Sequence, residues 1–336
     1  MDFDETAPTV RPATVHDVAR TAGVSAQTVS RVLRNAPSIK ATTRERVEAA
    51  VQELGYKPNH AARLLRTRRS DRIGALAHNL FDRGPGQLLR GAAREALKHG
   101  YTLSIAGLDG LDPISIKRAL QQFEQEQVAG IMAVTLTDDL RQVLLDHRTD
   151  IPILIDPADS PGADSTASES GGRSAAMHLL SLGHRNFAMV TGPAGWPASV
   201  QRRKGFVDAV TEGGGRIDYE VAGDWTPTSG HGAAPSVIRS GATAAFALND
   251  PMAIGLIRGL TELGRDVPRD VSVVGFDDVP EAEFLTPALT TIQPDFEREG
   301  AEALDALISL IQNQRRTLTP HSSGVLRVRE STAPRR

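Results

Sequence analysis

Thr14-Val15-His16-Asp17-Val18-Ala19-Arg20-Thr21-Ala22-Gly23-Val24-Ser25-Ala26-Gln27-Thr28-Val29-Ser30-Arg31-Val32-Leu33 is the stretch on which the reading of the chain turns. Thr14 followed by Asp17 is an N-cap with an acid in the first turn, and Val15, Val18 and Ala19 recur at helical spacing. A helix is predicted from about Val15 to Thr21. Ala22-Gly23-Val24 interrupts it with the one residue that turns cheaply, and Ser25 caps a second helix with Val29, Val32 and Leu33 on its inner face. Two short helices joined by a tight Gly turn make a helix-turn-helix. Gln27 and Arg31 stand i and i+4 on a face turned away from the apolar one, free to enter a major groove. Gln binds adenine bidentately and Arg binds guanine O6/N7, while Ser25, Thr28 and Ser30 are the hydroxyls within reach of phosphates. A third helix, about Thr42 to Leu54, offers Val47, Ala50, Val51 and Leu54 to the other two and ends at Gly55. A three-helix bundle of other purpose shares this pattern.

Charge is concentrated around the same stretch. The whole chain carries a net −3, yet between Thr14 and Arg69 eleven Lys and Arg face four Asp and Glu, a net +7 that leaves −10 on the remainder. A basic head on an acidic body suits a module that meets a polyanion, joined to one that does not; an Arg-rich solvated surface is the plainer reading. Next come Tyr56 to Leu65 and Arg66-Thr67-Arg68-Arg69-Ser70. Pro58 opens a helix of about seven residues, too short to stand alone, so it folds only when docked. Its leucines, without a core of their own, suit either an interdomain contact or an apolar wedge for the DNA minor groove.

From Asp71 onward, short apolar strands alternate with amphipathic helices. Strands are predicted at Ile73 to Ala77, Leu103 to Ala106, Ile131 to Val134, Ile153 to Ile155, Phe187 to Val190, Ala244 to Leu248 and Val271 to Phe276. Helices fall near Gln87 to His99, Ile114 to Gln125, Gly171 to Leu182, Ala198 to Val210 and Pro251 to Leu263. This is an α/β, doubly wound architecture with parallel sheets, and the strand count favours two sheets over one. Ligands in such folds bind outside the carboxyl ends of strands. Asp156, Asn249-Asp250 and Asp277-Asp278 stand at those ends, with Arg202 on a helix and Trp225 in a loop. They suit a polyol, charged groups binding hydroxyls and a ring covering the C–H face; ordinary strand-end capping explains each residue equally well.

Composition excludes other classes. With 336 residues, 40% apolar and 24% charged, the chain is long enough for at least two globular units, and with no cysteine it has no disulfide framework, thiolate nucleophile or Cys-ligated zinc. No apolar run approaches the roughly 18 residues of a membrane helix, and the first ten residues are acidic and Pro/Thr-rich, unlike a secretory signal, so a cytoplasmic protein is expected. Asp277-Asp278 point in different directions from an extended segment, and His178 with His184 are six apart, the wrong spacing for one-face zinc ligation. Neither a G-x-S-x-G nor a P-loop is present, and Gly213-Gly214-Gly215 follows a helix. No enzyme, cofactor or metal is expected.

The strings Thr14-Val15-His16-Asp17-Val18-Ala19, Ala22-Gly23-Val24-Ser25, Thr28-Val29-Ser30-Arg31-Val32-Leu33, Thr43-Arg44-Glu45-Arg46-Val47 and Leu54-Gly55-Tyr56-Lys57-Pro58-Asn59 resemble the lactose/galactose-repressor (LacI/GalR) family of bacterial transcription regulators. The resemblance runs on through Leu182-Gly183-His184-Arg185, Gly223-Asp224-Trp225, Ala247-Leu248-Asn249-Asp250, Val267-Pro268-Arg269-Asp270 and Gly275-Phe276-Asp277-Asp278 to Leu289-Thr290-Thr291-Ile292. It implies a disordered tail over 1–13, a helix-turn-helix domain over 14–57, a hinge helix and linker over 58–71, and an effector-binding and dimerisation core over 72–336, built of two subdomains like periplasmic sugar-binding proteins. Ala26, Gln27 and Arg31 fall at base-reading positions, Thr14, Ser25, Thr28, Ser30 and Arg34 accompany them toward DNA, and Asn59 and Ala62 lie on the hinge helix. Leu65 matches the leucine levered into the minor groove, so the wedge is the preferred reading. Leu88, Asp156, Arg202, Trp225, Asn249, Asp277 and Phe296 match effector-site positions, and the pairing of Trp225 with Phe296 favours a sugar over a purine.

The implied protein is a dimeric repressor on double-stranded, pseudo-palindromic operator DNA, controlled by a small sugar, with no membrane association. The sequence departs from the family at Asp82-Arg83-Gly84-Pro85, where aromatic stacking is usual, at Ala167-Ser168, where a polar pair usually precedes the helix, at Lys40 in place of a common Ser, and at Arg34 in place of a common Asn. No leucine heptad follows Leu310, so a dimer is expected rather than a tetramer.

Overall fold

The structure, a computed structural model, describes residues 13–33, 39–56, 70–80, 82–108, 112–134, 137–155, 166–314 and 324–335. The chain divides into two compact units, Met1–Arg69 and Ser70–Arg336. Arg34, Asn59, Ala62, Leu65 and Asp156, with the expected N-terminal tail and hinge helix, lie outside the described residues.

The first unit is built on local signals. Helix α1 (Val15–Ala22) starts with a capping box in which the Thr14 hydroxyl accepts the Asp17 N–H at 3.3 Å and the Asp17 carboxylate accepts the Thr14 N–H at 2.9 Å. It ends at Gly23, whose left-handed φ of 61° no β-carbon residue adopts cheaply. Ser25 Oγ then accepts the Thr28 N–H at 3.1 Å and opens α2 (Ala26–Leu33). Helix α3 (Ala41–Glu53) has Lys40 at its N-cap, without a side-chain capping bond. Val18, Val29, Val32, Val47 and Ala50 close a small core among the three helices. Arg46 of α3 donates to the carbonyls of Ala22 and Gly23, tying α3 to the turn itself. One of the eleven head cations therefore serves the fold.

The second unit holds two sheets. Strands β1 (Arg72–His78), β2 (Thr102–Leu108), β3 (Ile131–Val134) and β4 (Ile153–Ile155) form a parallel sheet in the order β2-β1-β3-β4, interleaved with helices α4 (Arg83–Lys98), α5 (Pro113–Gln125) and α6 (Asp138–Asp146). Helix α7 (Ala167–Ser181) begins the second subdomain, capped by Thr166 Oγ1 accepting the Glu169 N–H at 3.1 Å. That hydroxyl caps the helix where the sequence departs from the family at Ala167-Ser168. There follow β5 (Asn186–Thr191), α8 (Pro197–Glu212), β6 (Arg216–Ala222), α9 (Pro227–Ser240), β7 (Ala244–Ala247), α10 (Asp250–Glu262), β8 (Ser272–Phe276) and β9 (Thr290–Gln293). The six-stranded sheet runs β10-β9-β8-β7-β5-β6, parallel except for the terminal strand β10 (Val325–Arg327).

Helix α11 (Phe296–Ile311) follows β9 in sequence yet belongs to the other subdomain. Its Ala303, Leu304, Leu307 and Ile308 pack with Leu89, Ala92 and Ala96 of α4 and with Ile73 and Met132 of the first sheet. The chain thus passes between subdomains three times, which puts the cleft between them at the carboxyl ends of both sheets. No helix among the described residues is long and apolar enough to cross a membrane.

Candidate functional site

On α2, Gln27 and Arg31 are both exposed, Ser25 is exposed, and Ala26 and Thr28 are half-buried, as is Thr14 ahead of α1. Ser30 is 7% exposed, while the hydroxyls of Ser25 and Thr28 bond to each other at 2.9 Å.

The second unit contains a cavity of about 520 Å³ between its subdomains. Leu88, Arg202, Trp225, Asn249, Asp277 and Phe296, six of the seven residues matched from sequence, all line it. Each comes from a strand's carboxyl end or the first turns of a following helix. Arg202 reaches in from α8 with its side chain 6% exposed; its Nη1 donates to the Leu248 carbonyl at 2.6 Å and its Nη2 lies 3.1 Å from Asp277 Oδ1. The guanidinium stacks on Phe276, 3.7 Å from the ring centroid, with the Trp225 ring 5.8 Å away.

Although close, the Arg202–Asp277 pair is off the line of a hydrogen bond, and Arg202 Nε and Asp277 Oδ1 are buried without hydrogen-bond partners. Burial pushes the Asp277 carboxyl up, against the opposing charges of Arg202 and then Arg83. Asn249 caps α10 by accepting the Met252 N–H at 2.9 Å and donates to the Trp225 carbonyl at 3.0 Å, leaving one amide hydrogen. Strand-end capping and a place on the cavity wall coincide in this residue. Trp225 itself sits at φ 69° against Gly192, where an added β-carbon would meet the indole ring at 2.1 Å.

Sequence reading missed Trp196, Arg83, Gln201 and Glu299 on the same wall. Trp196, buried at the start of α8, meets His78 edge-on with ring centroids 4.9 Å apart. It stands just past strand β5, so the strand-end rule that picked Asn249 and Asp277 applies to it too. Arg83 carried no comparable signal: its partner, Asp277, is 194 residues away.

The adjacent acids do separate, Asp278 pairing with Arg329 at 2.7 Å. His178 bonds to Thr332 at 3.0 Å, and His184 to Thr243 at 2.9 Å and the Ala333 carbonyl at 3.1 Å, so both histidines hold the C-terminal segment. Burial lowers the pKa of each. Among the described residues, Glu95, His99 and Asp305 bring metal-ligand-type atoms within 4.8 Å, but Lys98 already bonds Glu95 at 2.7 Å, and the group reads as an ion-pair network.

A helix-turn-helix head with an exposed Gln/Arg face, followed by a two-sheet core enclosing a polar and aromatic cavity, defines a ligand-responsive class of DNA-binding regulator. Residues 14–59 match the model of bacterial regulatory proteins of the lacI family, and residues 176–332 match a periplasmic binding protein-like domain. The lactose operon repressor of Escherichia coli (strain K12) is 33% identical over 311 residues, 91% of this chain and 86% of that protein. The transcriptional repressor PurR of Erwinia tasmaniensis is 34% identical over 314 residues, 90% of this chain and 92% of its own. The crystal structure of the lac repressor dimer bound to operator and the anti-inducer ONPF superposes with a TM-score of 0.84 at 33% identity, covering 96% of this chain and all of that one. A complex of the transcriptional regulator CelR with cellobiose gives 0.69 at 30% identity, covering 95% and 99%. The chain belongs to the lacI family, and is a DNA-binding transcriptional repressor.

Proposed function

We propose that this repressor is controlled by a small sugar bound in the core cavity, and that it acts as a homodimer on a pseudo-palindromic operator. The observation that carries the sugar reading is the buried Arg202–Asp277 ion pair on the cavity wall, beside the Trp225 ring. Vicinal hydroxyls satisfy a donor and an acceptor at once, and an aromatic face takes the C–H side of a sugar ring. Phe296 and Leu88 close the apolar side of the cavity, and Asp156 is assigned to the same site from its sequence position. The volume suits a mono- or disaccharide, and the relatives reported above include a sugar complex.

On the DNA side, Ala26, Gln27 and Arg31 read base edges, while Thr14, Ser25, Thr28, Ser30 and Arg34 contact phosphates. Asn59, Ala62 and Leu65 form the hinge contact, with Leu65 as minor-groove wedge. Sugar shifts the balance between two arrangements of the core subdomains, and only the difference in its affinity for them changes operator binding.

A purine corepressor is the alternative, favoured by Trp196, which adds a further aromatic side chain to the cavity wall. Thermal shift of the purified protein against ribose, galactose, glucose, lactose, cellobiose, hypoxanthine and guanine separates the two. A shift by one or more sugars that also changes affinity for an operator selected from random duplexes supports the proposal; a shift by purines alone replaces it.

A further inference from the structure

Asp277 is strung between the two core subdomains. Its N–H donates to the Ile292 carbonyl at 2.8 Å, within its own subdomain, while its carbonyl accepts Arg83 Nε at 2.7 Å from the first turn of α4 in the other. Between these anchors the residue holds φ 107°, and Asp278 after it holds φ 50°. Non-glycine residues keep such backbone only where their surroundings over-determine it. The side chain of the same residue lines the cavity and faces Arg202, its Oδ1 lying 3.1 Å from Arg202 Nη2. A ligand group that takes the Asp277 carboxylate therefore acts on a peptide whose carbonyl is tied across the cleft.

Taking as given that the cavity is the effector site, we infer that Arg83 is a positioning residue: it sets the Asp277 backbone and transmits occupancy at Asp277 to the arrangement of the two subdomains. The hydrogen bond, not the charge alone, carries this role, because Nε is the donor and Arg83 is only half-buried on the cavity wall. Glutamine tests that distinction, since its Nε2 stands the same number of bonds from the backbone as arginine Nε.

The chain has no cysteine, so Arg118→Cys on α5 and Met177→Cys on α7, both exposed, place one spin label on each subdomain. Labelled chain diluted with unlabelled chain reports the distance between subdomains within one protomer, with no ligand needed. Arg83→Ala should shift or broaden that distance distribution, Arg83→Gln should restore it, and Arg94→Ala, which removes a cation from the same helix, should leave it as in the parent. With lactose and cellobiose as probes, the ratio of operator affinities without and with sugar should fall about fivefold or more in Arg83→Ala. An Ala variant with the parent's distribution, or a Gln variant behaving as Ala does, would overturn the assignment. Failure of every sugar to stabilise the parent would instead remove the sugar reading, with the distance measurement still deciding whether Arg83 ties the subdomains.

Discussion

At the scale of single residues, the acids behind the cavity decide how stability responds to pH. Asp250 is fully buried, its Oδ1 taking the Thr291 hydroxyl at 2.5 Å and its Oδ2 the Val279 N–H at 2.8 Å. Burial, and then the charge of Asp277, push its carboxyl up to about 8. In the unfolded chain the same group ionises near its ordinary value of 3.8. Between roughly pH 4 and 8 the folded chain thus keeps a proton on Asp250 that the unfolded chain has lost, so the contribution of this group to stability falls as pH rises through that window and levels off above it, opposite in sign to that of His178 and His184 below about pH 6.5. Asp250→Asn offers a donor to Thr291 and an acceptor to Val279 without titrating. It should flatten the fall by up to about 1.4 kcal/mol per pH unit, with the contribution of Asp277 remaining. Urea midpoints across the window read this; a variant that keeps the parent's full slope would mean that Asp250 is already ionised in the fold.

At the scale of elements, three helix pairs among the described residues touch backbone to backbone through reciprocal glycines. A β-carbon on Gly91 of α4 would lie 1.8 Å from the Glu297 carbonyl oxygen, and one on Gly300 of α11 would lie 1.9 Å from that of Leu88. Gly172 and Gly205 do the same for α7 and α8, at 2.1 and 1.9 Å, as do Gly230 and Gly255 for α9 and α10, at 2.0 and 1.8 Å. Backbone cannot yield as a flexible side chain does, so an added methyl must push the helices apart. Gly300→Ala should cost about 1–3 kcal/mol or more, read as a lower urea midpoint at unchanged slope. Because Arg83 and Phe296 lie in the first turns of this pair, weaker sugar response should accompany the loss. These contacts are absent from any reading of hydrophobic period, where a glycine in a helix counts only as a weak former.

At the scale of the molecule, the helix-turn-helix and the cavity lie on separate compact units, so variants of the two should dissociate. Arg31→Ala should lose roughly 1–3 kcal/mol of base discrimination per half-site, binding operator and random duplex more equally, and keep the sugar-induced thermal shift. Arg202→Ala should do the reverse, since it leaves Asp277 buried without its ion partner. Both affinities at one salt concentration and one melting series decide it; loss of both functions in either variant would contradict the separation. The three helices of the head were legible, because a capping box, a left-handed glycine and an i, i+4 face act within one or two turns of chain, although Leu33, expected on the inner face, is 39% exposed. The alternation of strands and helices was legible too, and with it the strand-end positions of Asn249 and Asp277. Strand β6 and helix α9 escaped, the strand half-buried along an edge and the helix carrying Pro235, so neither shows a clean period. The return of α11 to the first subdomain, the off-line Arg202–Asp277 pair, Trp196 against His78 and the reach of Arg83 across the cleft were decided only by tertiary structure. Each joins residues far apart in sequence, and burial, which governs whether a charge or amide is satisfied, is a property of what surrounds a residue and not of its neighbours along the chain.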